Sequence, residues 1–164
     1  MKTILLFTTL IMLSSFTTAP TREDINSSSA LGDRIVRSFQ NQSADEFITL
    51  LPTLDEFHEL MENNLEIYGS SLEEAKKDFS IEYNEHIVGA AKGSFTEVLN
   101  EGANRGIDWT GISFVKAEAD GQATSFSSEL TITFRSGAKE YKFRLRPAIV
   151  IDNQWRVTQN LELL

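Results

Sequence analysis

The stretch from Leu72 to about Ala103 has apolar side chains on two rows at helical spacing. One row is Phe79, Tyr83, Ile87 and Ala90, and the other is Ile81, Val88, Ala91 and Phe95. A helix that is apolar over so wide an arc has to be covered on two sides. The pattern therefore predicts a long helix between a sheet and shorter helices, and Gly102 and Gly106 mark its end.

Shorter helices are predicted before the long one. The apolar residues that recur there at helical spacing are Leu31, Ile35, Val36 and Phe39. Further along, a hydroxyl residue stands three positions before a glutamate at three places, an arrangement that satisfies backbone N–H groups at a helix start. The three pairs are Ser43 with Glu46, Thr53 with Glu56, and Ser71 with Glu74.

Four strands are predicted in the C-terminal part of the chain. Their approximate bounds are 110–119, 124–135, 138–151 and 155–163. The hairpin turns expected between them are Asp120-Gly121, Ser136-Gly137 and Asp152-Asn153. Because these connections are too short for crossover helices, the strands should form an antiparallel meander. The predicted fold class is α+β, with N-terminal helices including one long helix packed against a bent four-stranded antiparallel meander sheet.

The turns also predict which residues pair across the sheet. The pairs expected from a two-residue turn at Ser136-Gly137 are Ile132 with Tyr141, Leu130 with Phe143, and Glu129 with Arg144. Those expected from a three-residue loop at 152–154 are Ile151 with Trp155, Ile149 with Val157, Leu145 with Leu161, and Arg144 with Glu162. Arg144 would then have a carboxylate on each side. The cationic row Lys142, Arg144 and Arg146 is therefore interpreted as a solvated, charge-compensated sheet face rather than an anion site.

Two features of the sheet concern its shape. Pro147 cannot donate to a strand ladder, so it predicts a bulge that bends the sheet around the long helix. In the first hairpin, a two-residue turn sends Ile112 and Phe114 to the solvent face, whereas a three-residue loop sends them inward. We expect both side chains on the core face because they are apolar. On the solvent face they would form a surface for a partner.

The first residues predict an exported protein. The chain begins like a signal peptide, with Lys2, an apolar run from Ile4 to Leu13, and a stretch of small and hydroxylated residues up to Ala19. The apolar run is too short to span a bilayer as a helix. We expect a signal peptide over residues 1–19, a flexible linker over 20–29 and one domain over 30–164.

The chain has no cysteine, which excludes disulfides and favours a bacterial periplasmic or extracellular location. Its net charge of −9 disfavours nucleic acid partners, and no stable membrane insertion is expected after signal cleavage.

Three segments carry a resemblance to a known fold. They are "SADEFITLLPTLDEFHELM", "IEYNEHIVGAAKGSFTEVL" and "IVIDNQWRVTQNLEL". Helices followed by a bent meander, with these segments in this order, resemble the nuclear transport factor two-like, or cystatin-like, α+β superfamily. The resemblance is architectural and spans about residues 30–164. It implies a conical pocket between helices and sheet, which members use for small apolar ligands, for isomerase or dehydratase chemistry, or only for dimerisation; the fold alone does not choose among these.

His86 is the candidate general base, because the pKa of histidine is ordinarily near neutrality. Glu82, one turn earlier, could orient the imidazole, and Tyr83 could donate to an oxyanion. His58 lies among carboxylates in "DEFHELM", but two distant histidines without cysteine are a poor zinc pattern. No metal and no cofactor are predicted, since the sequence has no phosphate-binding glycine loop or dinucleotide fingerprint.

We expect an exported, non-enzymatic domain that binds a small apolar ligand or a protein partner. The predicted pocket residues are Phe79, Tyr83, Ile87, Phe126, Phe134 and Trp155. One alternative is a small-molecule isomerase or dehydratase that uses His86 with Tyr83 or Glu82 in a helix–sheet pocket. Another is an interaction module that forms a homodimer through the open sheet face. Exposure of Ile112 and Phe114 on that face would support this alternative.

Overall fold

Helices lie against a curled antiparallel sheet, which confirms the predicted α+β class. The structure is a computed structural model that describes residues 25–63, 71–124, 127–158 and 160–164, with 121–124 described by their backbone alone. The predicted signal peptide, residues 20–24 of the predicted linker, and Phe126 lie outside the described residues. The rest of that linker belongs to the folded part, since Ile25 is buried and the first helix begins at Ser28.

The helices confirm the predicted order of short helices before a long one. They are α1 (Ser28–Gln40), α2 (Ala44–Ile48), α3 (Leu54–Glu62), α4 (Leu72–Glu82) and α5 (Val88–Asn104). A π-helical turn, Tyr83–Ile87, joins α4 to α5 without a break, and the three together are called the long helix. A 3-10 turn, Trp109–Gly111, leads from the long helix into the sheet.

The predicted capping boxes differ in how far they form. Thr53 and Glu56 form a complete one: the Thr53 hydroxyl accepts from the Glu56 amide at 3.2 Å, and the Glu56 carboxylate accepts from the Thr53 amide at 2.7 Å. Ser43 caps α2, but the Glu46 carboxylate accepts from a side-chain amide instead of returning the bond. Ser71 makes no side-chain capping bond to its helix.

The two halves of the long helix differ in burial. The sheet and α2 pack against α5, whereas α4 packs against α3. Accordingly α5 has buried residues, while α4 and the π-helical turn have none. Ile81 is 48 % exposed, so the expected cover on two sides is wrong for α4. In the π-helical turn the Val88 amide bonds to the Tyr83 carbonyl, and this extra residue rotates the apolar face of α4 relative to that of α5.

The described strands form one antiparallel sheet. They are β1 (Ile112–Thr124), β2 (Ser127–Ser136), β3 (Lys139–Ile151), β4 (Gln154–Arg156) and β5 (Leu161–Leu163). The order is β1-β2-β3, and β4 and β5 both pair with β3, so the predicted fourth strand is present as two pieces. The turn expected at Asp120-Gly121 is wrong, because β1 continues to Thr124. Ile112 is nevertheless buried and Phe114 packs against the core, as expected.

The β2–β3 register is shifted by two residues from the predicted one. Observed pairs are Leu130 with Leu145, Ile132 with Phe143, and Phe134 with Tyr141, so the predicted pairing of Glu129 with Arg144 is also wrong. The turn is Gly137-Ala138, which gives Gly137 the first loop position with φ 61°, a conformation that suits glycine. A shift of two keeps every side chain on its predicted face.

The β3–β4 connection is a two-residue turn rather than the predicted three-residue loop. Asp152 and Asn153 have φ of 47° and 60°, as tight hairpin turns require. The predicted pairs Ile151 with Trp155 and Ile149 with Val157 are therefore wrong. The pairs predicted further along are confirmed, because the chain between β4 and β5 takes up the one-residue difference; they are Leu145 with Leu161 and Arg144 with Glu162.

The bulge predicted at Pro147 is confirmed. Leu130 pairs with Leu145 and Ser128 with Ala148, so a single residue of β2 faces both Arg146 and Pro147. The Arg146–Pro147 peptide bond is cis. An extra residue on one strand bends that strand and increases its twist, which contributes to the curl of the sheet.

Ser94 of α5 and Arg105, the residue that follows α5, cover the outer edge of β5. The Ser94 hydroxyl donates to the Leu161 carbonyl at 3.1 Å. The Arg105 guanidinium donates to the carbonyl of Leu164 at 2.9 Å and to that of Leu163 at 3.4 Å. The carbonyls of Leu161 and Leu163 in β5 are thus hydrogen-bonded by side chains of α5 and of the residue at its C-terminal end.

Aromatic rings fill the space between α1, α5 and the sheet. The ring centroid of Phe39 lies 4.2 Å from that of Phe95 and 4.7 Å from that of Phe143. Trp109, the first residue of the 3-10 turn, is buried in this cluster, and its indole N–H donates to the Leu99 carbonyl at 3.0 Å. The core is therefore packed with side chains where these elements meet.

Gly102 and Gly93 provide a matched test of the packing on α5. A methyl group at Gly102 would lie 2.0 Å from Cζ2 of Trp109, whereas one at Gly93 meets nothing within 4 Å. We expect Gly102→Ala to displace the indole and lower the free energy of unfolding by about 1–3 kcal/mol. Gly93→Ala should leave it unchanged or raise it by up to about 1 kcal/mol, since alanine favours helix. Chemical denaturation measures both, and equal values would contradict this packing.

Candidate functional site

An apolar groove opens where α3 and the long helix meet the bulge of β3. Its volume is about 320 Å³, and seven of its nine lining residues are apolar. Phe57, Phe79 and Ile87 line it from the helices. Pro147 and Val157 line it from the sheet side. A volume of this size is in the range of small-molecule sites.

The helical wall of the groove is held together by aromatic contacts. The ring of Phe57 lies 4.7 Å from that of Phe79 and 6.1 Å from that of Tyr83, measured between centroids. The Tyr83 hydroxyl donates to the Pro52 carbonyl at 2.8 Å, which ties the start of the π-helical turn to the residue before the Thr53 cap of α3. A further contact joins α3 to the long helix, because His58 Nε2 lies 3.1 Å from the Ser80 hydroxyl. The two helices therefore form one wall.

A largely buried ion pair anchors that wall to the sheet. The Arg156 guanidinium donates to the Glu56 carboxylate at 2.7 Å and 3.2 Å, with the two side chains 5 % and 20 % exposed. Glu56 also belongs to the capping box of α3. The pair thus fixes the start of α3 beside β4, next to the groove residues Phe57 and Val157.

The sheet wall of the groove is fixed by one backbone hydrogen bond and one side-chain hydrogen bond. The Val157 amide donates to the Leu50 carbonyl at 3.0 Å. The Thr158 hydroxyl donates to the Pro147 carbonyl at 2.7 Å, next to the bulge. These bonds hold the connection between β4 and β5 against the rest of the fold.

A second, polar depression adjoins the groove. Its volume is about 610 Å³, and Asn160 lines both spaces. On the long helix it is lined by Ala90, Gly93, Ser94 and Glu97. Arg146 and Glu162 line it from the sheet.

The candidate catalytic residues do not meet in the groove. The His86 side chain is 65 % exposed and its Nε2 lies 3.9 Å from the Glu82 carboxylate, so those two are near each other on the outer surface. Tyr83 lies beside the groove, but its hydroxyl points at the Pro52 backbone. The structure brings His86 near Glu82, while the Tyr83 hydroxyl is bonded to neither of them.

The predicted pocket residues divide between groove and core. Phe79 and Ile87 line the groove. Phe134 is fully buried and Trp155 packs against the core. Phe126 lies outside the described residues.

Sequence reasoning missed the groove residues Phe57 of α3, Pro52 before that helix, and Val157 after β4. An available signal was Arg156, the single cation in the run "IVIDNQWRVTQN". A charge inside such a run predicts a buried partner.

The cationic row of β3 is largely paired, as interpreted, although with a different partner for Arg146. The Arg144 guanidinium donates to Glu162 at 3.0 Å. Arg146 donates to Glu129, once at 3.0 Å and once through Nε, so the predicted partner of Arg144 belongs to Arg146. The hydrogen bond from Arg146 lowers the pKa of Glu129 from its ordinary value. Lys142 has no ion-pair partner among the described residues.

No group of three or more histidine, cysteine, aspartate or glutamate side chains in the described part of the chain could hold a metal ion. Among the helices that the structure describes, none has both the length and the apolar character needed to cross a membrane.

Comparisons with known proteins find no matching family model, no similar curated protein and no similar solved structure. The resemblance to the nuclear transport factor two-like superfamily therefore stays a prediction. The geometry of the groove and of the adjoining depression is the basis for a functional proposal.

Arg156 and Arg135 provide a test of the anchoring ion pair. Arg156→Met leaves the Glu56 carboxylate without its cation in a mostly buried place, so we expect the free energy of unfolding to fall by about 2–3 kcal/mol. Arg135→Met removes the ion pair with Glu140, whose side chains are 52 % and 51 % exposed, and should cost less than about 1 kcal/mol. Urea unfolding of both variants measures the losses; similar losses would show that the Glu56 pair is not an anchor.

The lowered pKa of Glu129 predicts that the stability of the fold depends on pH. A carboxyl whose pKa is lower in the folded state stabilises the fold above its unfolded pKa, and this contribution is lost as the pH falls through the folded pKa. We expect the melting temperature of Glu129→Gln to fall less than that of the unsubstituted protein between about pH 7 and about pH 3. Glu85→Gln, at an exposed glutamate with no ion-pair partner in the described residues, is the control. If Glu129→Gln loses as many degrees as the control, the Arg146 bond does not set this dependence.

Proposed function

We propose that this chain is an exported, non-enzymatic domain that binds a small apolar molecule in the groove between the long helix and the β3 bulge. The observation that carries the proposal is a groove of about 320 Å³ in which seven of nine lining residues are apolar. Phe57 and Phe79 are only partly buried there, so a ligand that covers them removes apolar surface from water.

The surroundings of the groove favour binding over catalysis or self-association. His86 is mostly exposed and is not a lining residue, and the Tyr83 hydroxyl is engaged by a backbone carbonyl, so the described lining of the groove does not place a base beside an oxyanion donor. Ile112 is buried, which removes it from the sheet face proposed for a dimer. Export is supported by the apolar run that begins at Ile4.

Ile87 and Ile81 allow a matched test with N-phenylnaphthylamine, an uncharged probe whose fluorescence rises in apolar surroundings. Ile87→Glu puts an unpaired carboxylate into the groove, so the affinity for the probe should fall at least about tenfold. Ile81→Glu adds the same charge at an exposed position of the same helix and should bind the probe as the unsubstituted protein does. A fluorescence titration measures the three affinities.

The melting temperature of each variant shows whether it is folded. If Ile87→Glu is unfolded, Ile87→Trp replaces it, because an indole fills the groove without adding charge. Absence of probe binding by the unsubstituted protein, or unchanged binding by the folded groove variant, would contradict the proposal.

A further inference from the structure

The apolar groove and the polar depression lie along the same face of the long helix. Ile87 lines the groove, and Ala90, Ser94 and Glu97 line the depression. These four residues are spaced by three or four positions and therefore share one helix face. At the helical rise, the stretch from Ile87 to Glu97 covers about 15 Å. A single elongated molecule could thus contact both spaces.

The boundary between the two spaces leaves room for such a molecule. Asn160 lines both of them, and no other residue is shared. On the helix the floor beyond Ile87 consists of small residues, and a methyl group built on Gly93 would meet nothing within 4 Å. The depression is open above this floor.

The charges in the depression do not cancel. Arg146 is held by both carboxylate oxygens of Glu129, and Glu162 is held by Arg144, so these groups are already compensated. Glu97 is exposed and has no ion-pair partner among the described residues. The charge left without a partner around this space is therefore negative.

We propose that the ligand of the groove is an amphipathic cation, with its apolar chain in the groove and a protonated amine at Glu97. This inference rests on the proposed function, and it adds a chemical class to the ligand. The apolar chain contacts the wall formed by Phe79 and Ile87. The amine lies in the depression, where the carboxylate of Glu97 accepts its hydrogen bond.

The test compares dodecylamine, dodecanol and dodecanoate, which share one chain length and differ in charge. Each displaces N-phenylnaphthylamine from the purified full chain at concentrations below those at which it forms micelles. We expect dodecylamine to bind about three- to tenfold more tightly than dodecanol, and dodecanoate to bind most weakly.

Two variants separate a site from the general attraction of an acidic protein for cations. Glu97→Gln should bind dodecylamine and dodecanol equally, since it removes the proposed partner of the amine. Glu85→Gln makes the same change in net charge on the same helix, away from the lining residues, and should keep the preference for the amine.

The possible results separate this inference from the proposed function. If the three probes bind equally, the cation inference is overturned while apolar binding in the groove stands. If Glu97→Gln keeps the preference, or Glu85→Gln loses it, net charge rather than Glu97 is the cause and the inference is again overturned. If none of the probes binds, N-phenylnaphthylamine included, both proposals fail.

Discussion

The fold depends on the contact between Phe95 of the long helix and Phe39 of α1, whose ring centroids are 4.2 Å apart. Phe39 also packs on Phe143 of β3, so two ring contacts join two helices to the sheet. Burial of each such side chain contributes about 1.5–3 kcal/mol relative to exposure. The cluster holds only the α5 half of the long helix. The α4 half extends beyond it and is covered by α3.

The groove follows from this division of the long helix. Where the long helix leaves the core, the apolar residues Phe79 of α4 and Ile87 of the π-helical turn are only partly covered. On the facing side, the bulge at Arg146 and Pro147 changes the course of β3. An apolar space remains between a helix that has left the core and a strand that bends. The same two features that shape the fold therefore position the candidate site.

Local patterns predicted the class, the long helix and the bulge, because hydrophobic periodicity and the missing N–H of proline act within a few residues. The registers between paired strands were harder to predict, because a turn signal such as Ser136-Gly137 does not indicate which loop position the glycine takes. The β1–β2 turn was missed because strand pairing overrode Asp120-Gly121. The groove could not be predicted from local patterns, because it depends on tertiary contacts. Phe57 meets Phe79 only after α3 has packed, and Arg156 meets Glu56 across 100 positions of sequence.

The bonds that Ser94 and Arg105 make to the carbonyls of β5 have a consequence for assembly. An unpaired strand border is a template to which a foreign chain can add. Here Ser94 and Arg105 occupy that template on the border formed by β5. On the other, the irregularity at Val115 and the alternating charges of β1 discourage strand addition. Strand addition between copies is therefore disfavoured at the borders formed by β1 and β5.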